Sequence, residues 1–418
     1  MTHPPTHPDP ARAEALEALK AQALPRALSA LSEGKHARAC EALAPLADLT
    51  LTDAEVARAW ALMLGGVDDA RHLTHELKRL ASRWAADPEV VPTLAHAALA
   101  WSRRHLRLAP PAADDSPPAI GARALTHCLK ESPPSAPEAR AALYHARAKL
   151  LAFAGEEGEE QALSDLEVSL TLAPSGEAWY TLGRLHLSAA RWEKAALCAE
   201  QARGAGLEAE QVSWLEAIAR TALGAPHLDL ALAAWGRLKH DDLQRGAGGR
   251  PARLGLERVL VSLHAHLPAP HAGAEGGAGW VTEVVWVQPL SPCHGRVLHP
   301  TLHALPADVG DLVLWDAQPI DFEDVEGDTR PVMRALACLE RGEMECRPAP
   351  LPWMPPEARE GLNARLPDGA FFYQGASAEA LGGRPHGKLC WRRGEVSGEA
   401  AWAALQVAIS EGLGGPLT

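Results

Sequence analysis

The chain reads as a mostly α protein: an N-terminal array of helical hairpins followed by a smaller α+β domain that can close as a small barrel. Three observations predict this. From Ala11 onward apolar residues recur at the helical period, interrupted by Gly, Pro and Asp at hairpin spacing. A Gly/Ala/Pro run at residues 268–279 then breaks the pattern as a flexible linker would. Beyond it, WVTEVVWVQPL, HGRVLHPTL and GDLVLWDAQP alternate in the way of strands. At 418 residues, two or three domains are expected, and 47% hydrophobic with 22% charged residues is ordinary for a folded soluble chain. The predicted division is a tail at 1–10, helical repeats with a capping helix at 11–267, a linker at 268–279, and an α+β domain at 280–418.

The elements follow in order. MTHPPTHPDP is Pro- and His-rich and predicts a disordered tail. ARAEALEALKAQAL predicts a helix, after which Pro25 can open the next at its first turn. Gly34 ends LSALSEG, and HARACEALAPLADL is the helix after it. Thr52 and Asp53 can cap EVARAWALML. DDARHLTHELKRLASRWAAD, VVPTLAHAALAWSRRHLRL and GARALTHCLKESPP continue the array. APPAADDSPPAI interrupts it and reads as an exposed insertion. APEARAALYHARAKLLAFAG pairs with EEQALSDLEVSLTLAP. EQVSWLEAIARTALG and LDLALAAWGRLKH make the last pair, RGAGGR breaks the array, and residues 251–267 read as a capping helix. Past the three strands, VMRALACLERGE reads as a helix, GAFFYQG and GKLCWRRGE as two more strands, and EAAWAALQVAISEGL as a closing helix.

The stretch that organises the array is GEAWYTLGRLHLSAARWEKAALCAEQARGAGL, residues 176–207. Its first helix carries Trp179, Leu182, Gly183 and His186, and its second Ala195, Ala199 and Ala202. This W-x2-L-G-x2-H and spaced-Ala pattern resembles the tetratricopeptide repeat, a unit of about 34 residues. Trp60 lies 28 residues before Pro88, and Trp214 lies 35 residues after Trp179, as the resemblance requires. Departures are His186 where an aromatic is usual, Ala199 where a bulky residue is usual, and Leu207 where Pro is usual. The resemblance implies a right-handed solenoid over about residues 11–241. It also implies that the first helix of each pair lines a concave groove holding a partner segment. Carried onto this chain, the groove residues are His145 and Lys149, then Glu177, Tyr180, Arg184 and Leu187, then Val212, Leu215 and Ala219. Lys149 and Arg184 would orient a protein or peptide through its carboxylate or acidic side chains.

Charge and motifs weigh the other function classes. The net charge is −13, and residues 268–418 hold 11 Lys+Arg against 20 Asp+Glu, which opposes a nucleic-acid partner for the predicted barrel. No apolar stretch approaches a membrane span, the start lacks a secretory pattern, and seven scattered Cys read as reduced thiols, so the expected compartment is the cytoplasm. Cys40, Cys128 and Cys198 read as core residues. Cys293, His294, His299, His303, Cys338, Cys346, His386 and Cys390 offer zinc-type donors, but no C-x2-C pairs them. A Cys–His–Asp arrangement from Cys293 or Cys346 with Asp311 or Asp316 has nothing in the sequence to fix it. The acidic loop at Asp321, Glu323, Asp324, Glu326 and Asp328 departs from the calcium-loop spacing. No phosphate-cradling glycine motif is present. The expectation is therefore a non-enzymatic scaffold without cofactor or metal. The rival is a ligand-binding, metal-binding or enzymatic C-terminal module with the repeats as its targeting arm.

Overall fold

A computed structural model describes residues 10–105, 114–153, 156–267, 279–303, 305–325, 327–375 and 386–412. The predicted tail and linker, and the centre of the predicted insertion, therefore lie outside the described residues almost entirely. The chain divides into two units, residues 1–185 with 197–208, and residues 186–196 with 209–418.

The first half is helical. Its α-helices are α1 (Pro10–Ser32), α2 (His36–Leu43), α3 (Ala54–Leu64), α4 (Ala70–Trp84), α5 (Val91–His105) and α6 (Pro117–Glu131). There follow α7 (Pro137–Leu151), α8 (Glu156–Leu172), α9 (Gly176–Ser188), α10 (Trp192–Gly204), α11 (Glu210–Leu223) and α12 (Leu228–Arg237). A 3-10 helix, Ala44–Leu51, separates α2 from α3. Six hairpin pairs were expected, and twelve α-helices are found among the described residues of this half. The Asp53 carboxylate caps α3 by accepting from the backbone N–H groups of Glu55 and Val56, as its place before the apolar run predicts. Asp69 and Ser116 do the same for α4 and α6.

Several helices stop through one device. After α10, Leu207 N–H bonds Ala202 C=O at 3.0 Å and Gly206 N–H bonds Arg203 C=O at 2.9 Å. This is the Schellman arrangement, with Gly206 at φ 86°. After α9 the same pair of bonds forms around Ala190, a non-glycine held at φ 55°, a conformation costing an L-residue about 1–2 kcal/mol. Gly176 carries the closest approach within this repeat. A Cβ there would lie 2.5 Å from Leu207 Cβ and 3.0 Å from the Ala202 carbonyl oxygen.

Packing joins helices that are not consecutive in the chain. Within the first unit α5 meets α3 and α7, and α4 meets α6. One core runs from Leu24 through Leu77, Leu94 and Leu125 to Leu150. Leu166, Ala178, Leu182 and Cys198 form the next, with Trp179 against it. Pro25 does not open a second helix, because α1 continues through it. An internal proline costs about 3 kcal/mol, and here Ala23, Leu24, Ala27 and Ala30 bury themselves on either side while Pro25 faces out.

The second half is sheet-rich. RGAGGR forms the turn between two short strands, β1 (Gln244–Arg245) and β2 (Pro251–Ala252). Five strands follow: β3 (Val259–Leu267), β4 (Gly279–Ser291), β5 (His294–Val297), β6 (Leu312–Val325) and β7 (Asp328–Glu340). Each pairs with the next in antiparallel fashion, and β7 pairs in parallel with β3 through Leu260↔Val332, so the pairing runs in a closed circuit. Val261, Leu263, Val285, Val297, Val313 and Trp315 fill its interior. A separate antiparallel sheet, in the order β8 (Met344–Leu351), β10 (His386–Arg392), β9 (Ala370–Tyr373), packs with α13 (Pro356–Asn363) and α14 (Gly398–Gly412). The closing helix and the strands at WVTEVVWVQPL, HGRV, GDLVLWDAQP, AFFY and HGKLCWR stand where the alternation placed them.

Three expectations are corrected. Residues 251–267 do not form a capping helix. Gly255, at φ 79°, ends any helix, and VLVSLHAHL is β3. VMRALACLERGE, read as a helix, is most of β7, because pairing to β3 on one edge and β6 on the other overrides good helix formers. The acidic loop is the outer part of the β6–β7 hairpin, where Glu323↔Arg330 and Asp324↔Thr329 are register partners.

Candidate functional site

The groove residues are built on successive first helices of the array. On α7, His145 and Lys149 are one turn apart and half-buried. The His145 ring reaches α9, with Nε2 2.8 Å from Thr181 Oγ1. The Thr181 hydroxyl already donates to the Glu177 carbonyl at 2.9 Å, so it accepts from His145, which fixes the proton on Nε2. Burial, with the Lys149 charge adding to it, pushes the His145 pKa down to about 4, so the ring is neutral at pH 7. His145 therefore joins two helices rather than offering a charge to a ligand.

Lys149 differs. It is half-buried, and among the described residues it makes no hydrogen bond or ion pair that satisfies its ammonium. Burial lowers its pKa, the positive charge of Arg103 on α5 lowers it further, and Glu177 on α9 opposes both. Three successive first helices thus meet around one cation with a second cation beside it. Half-buried Tyr180 and Arg184 continue the α9 face by one and two turns beyond Glu177. Sequence reasoning missed Arg103. Carrying the groove count one pair further back, to the last turn of α5, would have found it.

The remaining groove residues are not on a surface. Leu187, Val212, Leu215 and Ala219 are all 1% exposed or less. For α11 there is a physical reason: it packs against both α12 and β6, so its apolar face is core. Trp214 is half-buried and meets Trp235 edge-on, with centroids 5.1 Å apart. Leu182, Gly183, Ala195 and Ala202 are buried and Trp179 is half-buried.

An ion pair stabilises the α7–α8 hairpin beside this face. The Arg147 guanidinium donates from Nε at 2.7 Å and from NH2 at 2.6 Å to the two oxygens of buried Asp165. Such a fork is geometrically specific as well as strong.

Of the zinc-type donors, Cys346 and Cys390 face each other with their sulfurs 3.0 Å apart, but no larger set gathers. No group of three or more His, Cys, Asp or Glu placed to hold a metal occurs among the described residues. His294 Nδ1 lies 2.5 Å from Ser291 Oγ. Burial, then the Arg250 and Arg296 charges, takes the His294 pKa down to about 3. His299 Nε2 accepts from Trp286 N–H at 3.0 Å, and His303 sits 3.3 Å from Glu283. The Cys293 thiol is buried and pushed up to about 12, which keeps it protonated and without nucleophilic character. Asp311 accepts from Gly342 N–H at 2.6 Å and from Arg341 at 2.8 Å, tying the end of β7 to the start of β6.

One polar cluster was not legible. On β10, buried Lys388 donates to Asp308 Oδ2 at 2.6 Å, Thr301 Oγ1 at 2.9 Å and the His303 carbonyl at 3.0 Å. All three protons of its ammonium have partners, so the cluster clamps the 298–311 loop onto the β8–β10–β9 sheet. Compared with known family models and with curated proteins, the chain matches none.

Proposed function

We propose that this chain is a protein-interaction scaffold whose helical half is a solenoid resembling tetratricopeptide repeats and takes an acidic or carboxylate-bearing peptide. The five-stranded circuit of the second half is read with it as a small barrel. The observation that carries the proposal is Lys149: a half-buried ammonium beside the Arg103 charge, its pKa lowered by burial and by that charge. A peptide carboxylate placed there supplies the counter-charge that Glu177 only partly provides, and Lys and Arg donors bind carboxylates through charge-assisted hydrogen bonds. Tyr180 adds an aromatic surface and Arg184 a second donor. Leu187 and Leu215 have no part in this surface, because both are buried.

The test is binding of the full-length protein to an array of peptides that vary in acidic content and in the presence of a free C-terminal carboxylate. Acidic or free-carboxylate peptides bind best, the affinity falls with added salt, and Lys149→Glu/Arg184→Glu loses at least tenfold while Lys149→Arg retains it. Equal binding by wild type and the double variant, or no preference for acidic peptides, overturns the proposal. For the chain as a whole, no helix among the described residues is long and apolar enough to cross a membrane.

A further inference from the structure

The structure assigns a reversible cross-strand disulfide to Cys346 and Cys390, a modification site in the β8–β10–β9 sheet formed by reaction with a low-molecular-weight disulfide. The two residues are direct register partners, Cys390↔Cys346, on antiparallel β10 and β8. Their sulfurs are 3.0 Å apart, both as free thiols. Directly opposed residues of an antiparallel pair have Cα atoms about 4.5–5.5 Å apart, inside the roughly 4.4–6.8 Å that a disulfide spans. No other two cysteines face each other in the strand register of the described residues. The bond therefore needs the two side chains to turn, not the backbone to move.

The surroundings set the order of events. Cys390 lies on the central strand and is fully buried, whereas Cys346 lies on an edge strand and is partly exposed. Its neighbour Cys346, and burial, push the Cys390 thiol well up, so Cys390 is not the first to react. Cys346 as thiolate attacks one sulfur of the oxidant, its disulfide breaks, and one thiol leaves with the Cys346 proton. Cys390 then attacks the Cys346 sulfur of the mixed disulfide, and the second thiol leaves with the Cys390 proton. Two protein thiols are oxidised by two electrons and one oxidant disulfide is reduced to two thiols. The new bond fixes edge strand β8 to β10 and closes a loop containing α13 and β9. It lies on the same face of β10 as Lys388, two residues away, and so beside the clamp on the 298–311 loop.

The experiment uses the full-length protein in mixtures of reduced and oxidised glutathione, followed by alkylation and non-reducing peptide mapping. The expected product is a peptide pair linking 346 to 390, lighter by two hydrogens than its two free peptides together and separated again by dithiothreitol. In Cys390→Ser the glutathione adduct stays on Cys346, and in Cys346→Ser no link forms. Exposed Cys40 serves as the internal control for a working oxidant. Accumulation of the adduct on wild-type Cys346 without a 346–390 link overturns the proposal, as does modification of Cys40 with both Cys346 and Cys390 left as thiols. If either serine variant does not fold, the mapping of the wild type decides alone.

Discussion

A buried charge in the helical half offers a quantitative test of how that half is held together. Glu76 on α4 is 8% exposed. Its carboxylate accepts from Arg79 NH2 at 2.7 Å and from Trp60 Nε1 on α3 at 3.0 Å. Arg79 NH1 also donates to the Thr50 hydroxyl at 2.9 Å, and Trp84 Nε1 donates to the Thr50 carbonyl at 2.8 Å. Removing the cation by Arg79→Met leaves Glu76 in place with one neutral donor. Coulomb attraction at 2.7 Å is about 6 kcal/mol at an effective dielectric of about 20, and desolvation of both ions offsets part of it. Breaking a buried pair costs about 3–5 kcal/mol. The expected loss is near 3, because Arg79 keeps 28% of its side chain in water. Glu76→Gln/Arg79→Met should recover most of that, since the amide oxygen still accepts from Trp60. Amide hydrogen exchange of α3 and α4 in increasing urea reads the effect locally, which a chain of two units requires. Burial would raise the Glu76 pKa, but the Arg79 bond and charge and the Trp60 bond outweigh it and the pKa is lowered. That stabilisation is fully present above the unfolded carboxylate value of about 4.3 and is lost as the pH falls through the lower folded value. The difference between wild type and Arg79→Met should therefore narrow in acid. A loss under about 1 kcal/mol at pH 7, or a difference independent of pH, refutes the reasoning.

Two further perturbations test the second unit. Gln374 is 1% exposed, accepts from Met354 N–H at 3.0 Å, and donates to the carbonyls of Leu351, Pro352 and His386. Gln374→Leu strands these groups, and at about 1–3 kcal/mol for an unsatisfied buried group it should lower the denaturation midpoint, measured by Trp fluorescence; an unchanged midpoint would refute this role. Burial, then Lys194 and Arg191, takes the His186 pKa down to about 4, and His294 lies at about 3. Both lie below the unfolded value of about 6.5, so the unfolded chain binds the extra protons. Their stabilisation is fully present above that value and is lost as the pH falls towards the folded ones. By pH 5 each has cost about 2 kcal/mol. His186→Phe removes one such group, whose Nδ1 has no hydrogen-bond partner among the described residues, and should visibly reduce the acid loss in thermal unfolding. An unchanged acid slope would refute the assignment.

The helical half was legible because its signals are local. Asp53 before an apolar run, Gly34 and Gly206 after one, and the Trp179–Leu182–Ala195 spacing each act within a few residues. The failures were non-local. Residues 259–267 and 328–340 satisfy a helical and a strand reading alike, and only strand pairing decides between them, that of β3 with β4 and β7 and that of β7 with β6 and β3. Groove residues counted from the repeat pattern are half-buried on α7 and at Tyr180 and Arg184. They failed on α11, because a count along one repeat says nothing of β6 lying over the next. The Lys388 clamp could not be read, since its partners Thr301, His303 and Asp308 are more than 75 residues away and unremarkable in type. The Cys346–Cys390 register depends in turn on recognising a Pro-rich stretch as a strand.

The parallel seam between β3 and β7 has a consequence for the order in which the chain can mature. Leu260 waits for Val332, about 70 residues downstream, before its free edge is covered, and closing so long a loop is entropically expensive. On a ribosome making about 5–20 residues each second, the helices have emerged in full while β3 still offers an unpaired edge. That edge is a template for any passing strand. The interval between synthesis of β3 and arrival of β7 is thus the period in which this protein most needs a chaperone, and slowing translation between residues 268 and 328 would lengthen it.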